Sequence, residues 1–392
     1  MPSPSSIAVS HGPARAPVQY PVVATAALLA LALVLRLSAS GWRHAALFIV
    51  GMALGMSLRH AAFGFTSAYR RLLLYGELRG VRAQLLMLAA ATALFAPVLA
   101  AGEAFGRDVV GAVAPLGTQV AAGAFAFGVG MQLAGGCGSG ALYTAGGGSV
   151  RMLLVLAAFC GGSFWASLHM AWWQSLPGAE AVVLGKTLGW PLAAALQAGV
   201  LLAAFALLGR RERNQAPALA PAASLWRGPW PLLWGALALA ALNFLTLLLA
   251  GHPWSITWAF ALWGAKAAAA LGWDPAGAEF WNAPFQRQAL AAGVLDDITS
   301  VMDLGLILGA ALAAGLGGRF RVTGRLPARA VAAALLGGLL MGYGARIAFG
   351  CNIGAFFSGV ASTSLHGWLW IAAALAGNWM GVKLRPHFGM AN

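Results

Sequence analysis

Ten apolar runs of bilayer-crossing length recur along the chain, at roughly 21–38, 44–59, 82–101, 118–134, 151–173, 190–208, 229–250, 299–317, 328–346 and 366–384. A helix needs about 20 consecutive apolar residues to cross the hydrocarbon core, so the pattern predicts ten transmembrane helices. Four further apolar stretches, 61–74, 137–147, 254–265 and 351–362, are too short to cross and carry Gly, Ser or Thr. Such stretches read as re-entrant segments. Irregular backbone at membrane depth persists only where protein buries it or a polar cavity hydrates it. Four of them imply a pore or binding site near the midplane. The expected fold class is therefore all-α and polytopic.

Composition supports the pattern. Hydrophobic residues make up 60% of the 392 positions and charged ones 9%, against about a quarter charged in soluble domains. A soluble protein of this kind could not cover its surface with polar groups. The first run, near 22–35, is too long for a cleaved signal core and is expected to stay as the first span. Ahead of it, residues 1–20 form a Pro/Ser-rich tail expected to be disordered.

The net charge is +14, which in a soluble chain would point to nucleic acid. Here the basic residues cluster between apolar runs, so we expect no nucleic acid partner. With the N-terminus inside, the inside joints carry Arg70, Arg71, Arg79 and Arg82, then Arg210, Arg211 and Arg213, then Arg319, Arg321, Arg325 and Arg329. The positive-inside rule then places both termini in the cytoplasm. The outside joints hold most of the carboxylates, including Asp296 and Asp297, which read as solvated.

Two segments echo each other. Gly130-Met-Gln-Leu-Ala-Gly-Gly-Cys137-Gly-Ser-Gly140-Ala141 aligns with Gly344-Ala-Arg-Ile-Ala-Phe-Gly-Cys351-Asn-Ile-Gly354-Ala355. Glycine and alanine matches are common in this composition, but the match uses two of only three cysteines. Gly64-Phe65-Thr66-Ser67 echoes Ser255-Ile256-Thr257-Trp258 more weakly. Matching features lie five spans apart, and an odd number turns the second copy upside down. Inverted repeats with broken helices at the midplane are a transporter architecture. The expected organisation is a first inverted repeat at 21–208, a cytoplasmic linker at 209–228 and a second repeat at 229–392. Together the repeats make an hourglass whose waist holds Cys137 and Cys351.

At these motifs the chain resembles the YeeE/YedE family of sulphur-compound membrane transporters. The most specific parts are 135–148 around Cys137, 349–359 around Cys351, and Ser364-Leu-His366-Gly-Trp-Leu-Trp370. The resemblance implies a multi-pass bacterial inner-membrane importer of thiosulfate or a related sulphur or selenium species. It also implies a soluble sulphur carrier of the TusA type as a partner. Of the three path-lining cysteines in the thiosulfate importers, two map onto Cys137 and Cys351. The third falls on Gly64, so it is missing here and the identity of the sulphur anion stays open.

Thiols suit such cargo, being soft, polarizable and weak donors. A pore site must also release its ligand. Glycines beside the thiols, Gly136, Gly138 and Gly350, let backbone N–H groups approach an anion, and a helix beginning after each cysteine adds a positive dipole end. Ser139 and Asn352 either hydrogen-bond an oxyanion or cap those helices. Thr66 and Thr257 occupy matched positions and are candidates for the waist. Arg346 either attracts an anion or snorkels or pairs. Asp303, inside a span, reads as a structural ion pair ahead of a proton-coupling group. His366 and Lys266 read as interfacial, Cys160 as apolar packing, and Gly51-x-x-x-Gly55 as a helix contact. No catalytic residue, cofactor or metal ligand set is expected. Two alternatives stand beside transport: a membrane thiol oxidoreductase, and a non-transporting subunit that recruits a sulphur carrier.

Overall fold

A computed structural model describes residues 16–212 and 224–391 of the chain. The first fifteen residues of the expected disordered tail, and Arg213 with the rest of 213–223 in the expected linker, lie outside them.

In chain order the helices are α1 (Tyr20–Ser38), α2 (Trp42–Ala61), α3 (Phe65–Tyr75), α4 (Arg79–Ala101), α5 (Thr118–Ala134), α6 (Gly138–Gly146), α7 (Val150–Ser167), α8 (Met170–Gln174), α9 (Leu184–Leu188) and α10 (Trp190–Glu212). They continue with α11 (Leu232–Ala250), α12 (Thr257–Ala270), α13 (Glu279–Asn282), α14 (Pro284–Ala291), α15 (Ile298–Leu316), α16 (Ala328–Ile347), α17 (Ser358–Ala361) and α18 (Leu365–Leu384). A π-helix, Asn352–Phe357, runs directly into α17. The described strands are two-residue pairs: β1 (Glu103–Ala104) on β2 (Arg107–Asp108), and β3 (Leu116–Gly117) on β4 (Gly178–Ala179), both antiparallel.

The protein is an all-α polytopic membrane protein. Among the described residues, nine helical segments are long and apolar enough to cross a bilayer. Each of the ten expected spans coincides with a long helix. The one outside the nine is α18, whose apolar character is diluted by His366, Asn378 and its tryptophans. It lies against α5 and α3, with His366 and Asn378 fully buried, so it has less need of a lipid-compatible surface. The expected span 151–173 is broken at His169, between α7 and α8.

Exposed leucines show where lipid lies. Leu28, Leu29, Leu31 and Leu35 of α1 and Leu192, Leu196 and Val200 of α10 are all more than half exposed. An apolar patch of this extent on a protein surface requires a nonaqueous neighbour. The inner helices meet through glycine. A methyl group on Gly123 of α5 would come 2.6 Å from the carbonyl oxygen of Gly344 on α16, and one on Gly130 would come 2.7 Å from that of Gly337. As one index rises the other falls, so α5 and α16 are antiparallel. Gly51 and Gly55 of α2 abut Met302 and Leu306 of α15, which fulfils the expected glycine contact and makes that pair parallel.

The packing has a regularity of its own. α2 lies on α15 and α11 lies on α4; α1 lies on α15 and α10 on α4; α7 lies on α16 and α18 on α5. Exchanging α1, α2, α4, α5 and α7 for α10, α11, α15, α16 and α18 maps each of these pairs onto another. The α5–α16 and α2–α11 pairs map onto themselves.

Candidate functional site

Each cysteine opens a short helix. Cys137 is the residue before α6, in extended conformation (φ −85°, ψ −172°), and Cys351 precedes the π-helix in nearly the same way (φ −105°, ψ −164°). The turns leading into them match as well. Gly135 has φ +83° and its counterpart Phe349 has φ +59°. A bulky residue rarely adopts that region, and holding it there costs of order 1–3 kcal/mol.

One difference separates the two motifs. Thirteen positions after Cys137, α7 begins at Val150; fourteen after Cys351, α18 begins at Leu365. The extra residue is accommodated by the wider turns of the π-helix, a feature frequent at functional sites.

The two motifs meet. Cys351 Sγ lies 3.5 Å from where a methyl group on Gly138 would stand, with Ile256 and Phe159 each 3.7 Å from the same point. Gly138 is the first residue of α6, so the starting ends of the two short helices face each other. Both thiols are free and buried. Cys137 Sγ is 3.4 Å from Ser139 Oγ, and the backbone N–H of Ile353 donates to Cys351 Sγ at 3.5 Å. Beneath them pack Phe127, Phe159, Phe260 and Trp370, with ring centroids 4.7–6.2 Å apart.

Unpartnered polar atoms occur on the second motif and on α3. The Asn352 side chain is buried with neither amide atom hydrogen-bonded, and Thr66 Oγ1 is in the same condition. The Thr66 carbonyl accepts from Gln132 Nε2 (3.1 Å). Tyr69 neighbours Cys137 and Asn352, and its hydroxyl donates to Gln84 Oε1 (2.7 Å). Thr257 is buried as the first residue of α12. A methyl on Gly136 would stand 3.7 Å from Met152 Sδ, while Gly350 (φ +148°) leaves no room for a methyl beside the N–H of Ala355, 2.7 Å away.

Cationic groups gather at the end of α5, just ahead of Cys137. Arg151 donates to the carbonyl of Leu133 and Arg385 to that of Gln132, both at 2.8 Å. They satisfy carbonyls that end a helix and complement its dipole. The sequence gives Arg385 no distinguishing signal, since it follows α18 like any orienting basic residue. Arg385 lies outside the spans, and burial, aided by Arg70 and Arg151, pushes its guanidinium down to about 10.

A cavity of about 640 Å³ opens beside α3, lined by Gly64, Ser67, Arg71, Arg79, Gln84 and Tyr143 among others. Tyr143 belongs to α6. At Gly64 the Ser67 hydroxyl stands 2.8 Å from where a side chain would begin. A smaller recess of about 300 Å³ lies at the matching place on the other half, against Trp258, Asp297 and Thr299.

Several expectations change. Arg346 stacks its guanidinium 5.2 Å from the Phe280 ring of α13, so it contacts the joint between α12 and α15. His366 is buried within the helices, with Nδ1 2.8 Å from Ser364 Oγ; the Ser364 hydroxyl supplies the partner that makes burial affordable. Lys266, expected at the interface, is half-buried and held by the carbonyls of Leu290 and Ala292, which leaves that expectation standing. Asp297 is not a solvated carboxylate: it caps α15 through Ser300 and accepts from Trp258 Nε1 (2.9 Å). Asp303, expected in an ion pair, is fully buried with neither oxygen hydrogen-bonded.

Comparison with known proteins follows the same features. The profile of a family described as sulphur transport matches residues 60–380. Over 352 residues, 84% of this chain and 96% of the relative, the sequence is 29% identical to the thiosulfate transporter TsuA of Spirochaeta thermophila. It is 34% identical over 142 residues to the probable transporter YedE of Escherichia coli. A match of 33% over the same length is found with the probable transporter YedE of Salmonella typhimurium. These two alignments cover 35% of this chain and about a third of either relative, 34%.

Proposed function

From the premise that the chain belongs to the sulphur transport family, we propose that it takes up a small sulphur-containing anion along a path through Cys137 and Cys351. The observation that carries this reading is the juxtaposition of Cys351 Sγ with Gly138, at the start of the helix that Cys137 opens. Thiosulfate is the first candidate, because the relative matched over most of both chains is named a thiosulfate transporter. The missing thiol at Gly64 keeps sulfite, sulfide and selenium analogues in the same test.

The residues divide the work by chemistry. At the mouth of the cavity beside α3, Arg71 pairs with Glu77 (3.4 Å) and Arg79 adds positive charge; by the lysine and arginine bias this is the cytoplasmic side. Soft thiols meet the soft terminal sulphur, and Ser139, the Asn352 amide and Thr66 Oγ1 have hydrogen-bonding capacity for oxyanion oxygens. The starting ends of α6 and the π-helix add partial positive charge. Weak contacts of this kind keep binding reversible. In this reading two inverted repeats build the hourglass, and the packing exchange supports taking α1–α7 as one and α10–α18 as the other. This moves the repeat boundary from 208 to the joint before α10. The protein then resides in a bacterial inner membrane with both termini cytoplasmic. A soluble sulphur carrier of the TusA type would meet it on the cytoplasmic side.

Labelled thiosulfate exchange into proteoliposomes tests the proposal. The native protein is expected to exchange label, and Cys137→Ala and Cys351→Ala each to lose about tenfold or more in rate, the scale of one hydrogen bond of about 1.4 kcal/mol at a bottleneck. Full exchange by both variants would remove the assigned site. Failure of the native protein to move thiosulfate, sulfite, sulfide or a selenium analogue would remove the function.

A further inference from the structure

Asp303 is the one buried acidic side chain among the described residues. Neither of its oxygens has a hydrogen-bond partner. It is the sixth residue of α15, and the sixth residue of α4, its counterpart under the packing exchange, is Gln84. The two places are used differently. Gln84 is tied to the Tyr69 hydroxyl, whereas the residue matched to Tyr69 in α12 is Phe260, which offers no hydroxyl. One half thus carries an amide that cannot titrate, and the other a free carboxyl group.

Its neighbours lie towards the recess on one side and the thiols on the other. Thr299, one helical turn before Asp303 on the same face of α15, lines the 300 Å³ recess. On the inner side Asp303 lies within electrostatic reach of Cys351, and of Cys160 on α7. The remaining titratable neighbour is Asp297, at the start of its own helix. From α2 the nearest elements are apolar: Phe48, Gly51 and Met52 adjoin α15 at this level. On α12, Trp263 bonds Ser300. Among the described residues no cation pairs with Asp303, and an unpaired buried charge is costly.

We propose that Asp303 is a proton-binding site which couples anion uptake to proton entry, a reading that rests on the transport function above. An inside-negative membrane potential opposes the entry of an anion. A proton taken up by Asp303 from the outer recess and released inward with the cargo offsets one unit of that charge. The carboxylate gains the proton on one side and loses it on the other, so nothing else is consumed. Sodium fits less well, because a hard cation needs several oxygen ligands, and the nearest titratable side chains on facing helices are thiols.

Asp303→Asn keeps the shape and removes the titration. Exchange of labelled thiosulfate at equal pH reads transport itself; accumulation under an inward proton gradient reads coupling. A gradient of one pH unit supports up to about tenfold accumulation per proton carried. We expect the native protein to exchange and to accumulate, and Asp303→Asn to exchange within about threefold of native, about 0.65 kcal/mol in barrier terms, yet only to equilibrate. Asp303→Glu should restore accumulation. Infrared difference spectra of purified native protein against Asp303→Asn should also show the carbonyl band of a protonated carboxyl. Native exchange without accumulation, accumulation driven by sodium in place of protons, unimpaired accumulation by Asp303→Asn, or a band of ionised carboxylate would each overturn the proposal. Absence of native exchange would instead overturn the transport reading beneath it.

Discussion

A single methyl group distinguishes two kinds of glycine in the cysteine motifs. At Gly138 it would stand in ordinary contact with the Cys351 thiol, 3.5 Å away, on unstrained backbone. Gly138→Ala is therefore expected to fold with native thermal stability while exchange falls by about tenfold, because the methyl fills the space between the thiols. At Gly350 a methyl would collide with backbone, and φ +148° excludes side chains. Gly350→Ala should lower yield and melting temperature before any effect on transport is read. Purified variants compared by thermal unfolding and exchange separate the two. The sequence singled out both glycines for the same reason, closeness of backbone to an anion. It could not separate them, because the distinction lies in which neighbour each faces. Asp303 was misjudged similarly: an ion pair is the common fate of a buried carboxylate, and the lack of a partner is a fact of three-dimensional packing.

At the scale of elements, the long helices were legible because each needs a continuous apolar run, and lipid tolerates little else. The four short segments were legible as apolar runs too brief to span. Their secondary structure was not. The π-helix after Cys351 follows from one extra residue between the cysteine and the next helix, a difference that only the paired motifs expose. Helix contacts also leave a partial trace: Gly51 and Gly55 announced a contact, but not that α15 would supply the partner surface. Gly55→Ala pushes a methyl into the backbone of Leu306 (carbonyl carbon 2.8 Å away) and should cost about 1–3 kcal/mol, the range for overpacking. Gly199→Ala, where nothing lies within 4 Å, is expected to leave unfolding unchanged. Detergent-solubilised protein melted in parallel with the native chain checks both.

For the whole molecule, the exchange of helix partners is the pattern that the proposed inverted repeats would produce, and the charge bias along the joints would place both termini in the cytoplasm. α5 and α16, matched in the repeat, run antiparallel and touch through glycines at both ends of their contact. That is the relation an inverted pair requires. What sequence alone could not supply is the placement of α10, which packs on α4 as α1 packs on α15, although the polar linker follows it. Topology in the membrane is checked by reporters fused at each terminus, both expected to be active only in the cytoplasm. Energetically, each charge moved against 100 mV costs about 2.3 kcal/mol. A dianion entering a cell therefore needs either a steep concentration gradient or a coupled cation, and this is where the buried carboxyl enters the account.

The convergence of the two thiols is the claim on which the rest depends, and cross-linking reads it directly. In a Cys160→Ala background, with a protease site introduced within 213–223, a short bifunctional thiol reagent should join Cys137 to Cys351, so that the two fragments stay together after cleavage. Thiosulfate in excess should slow the reaction, and the joined protein should no longer exchange label. Fragments that separate completely, under conditions where a small alkylating reagent modifies both cysteines, would contradict the account.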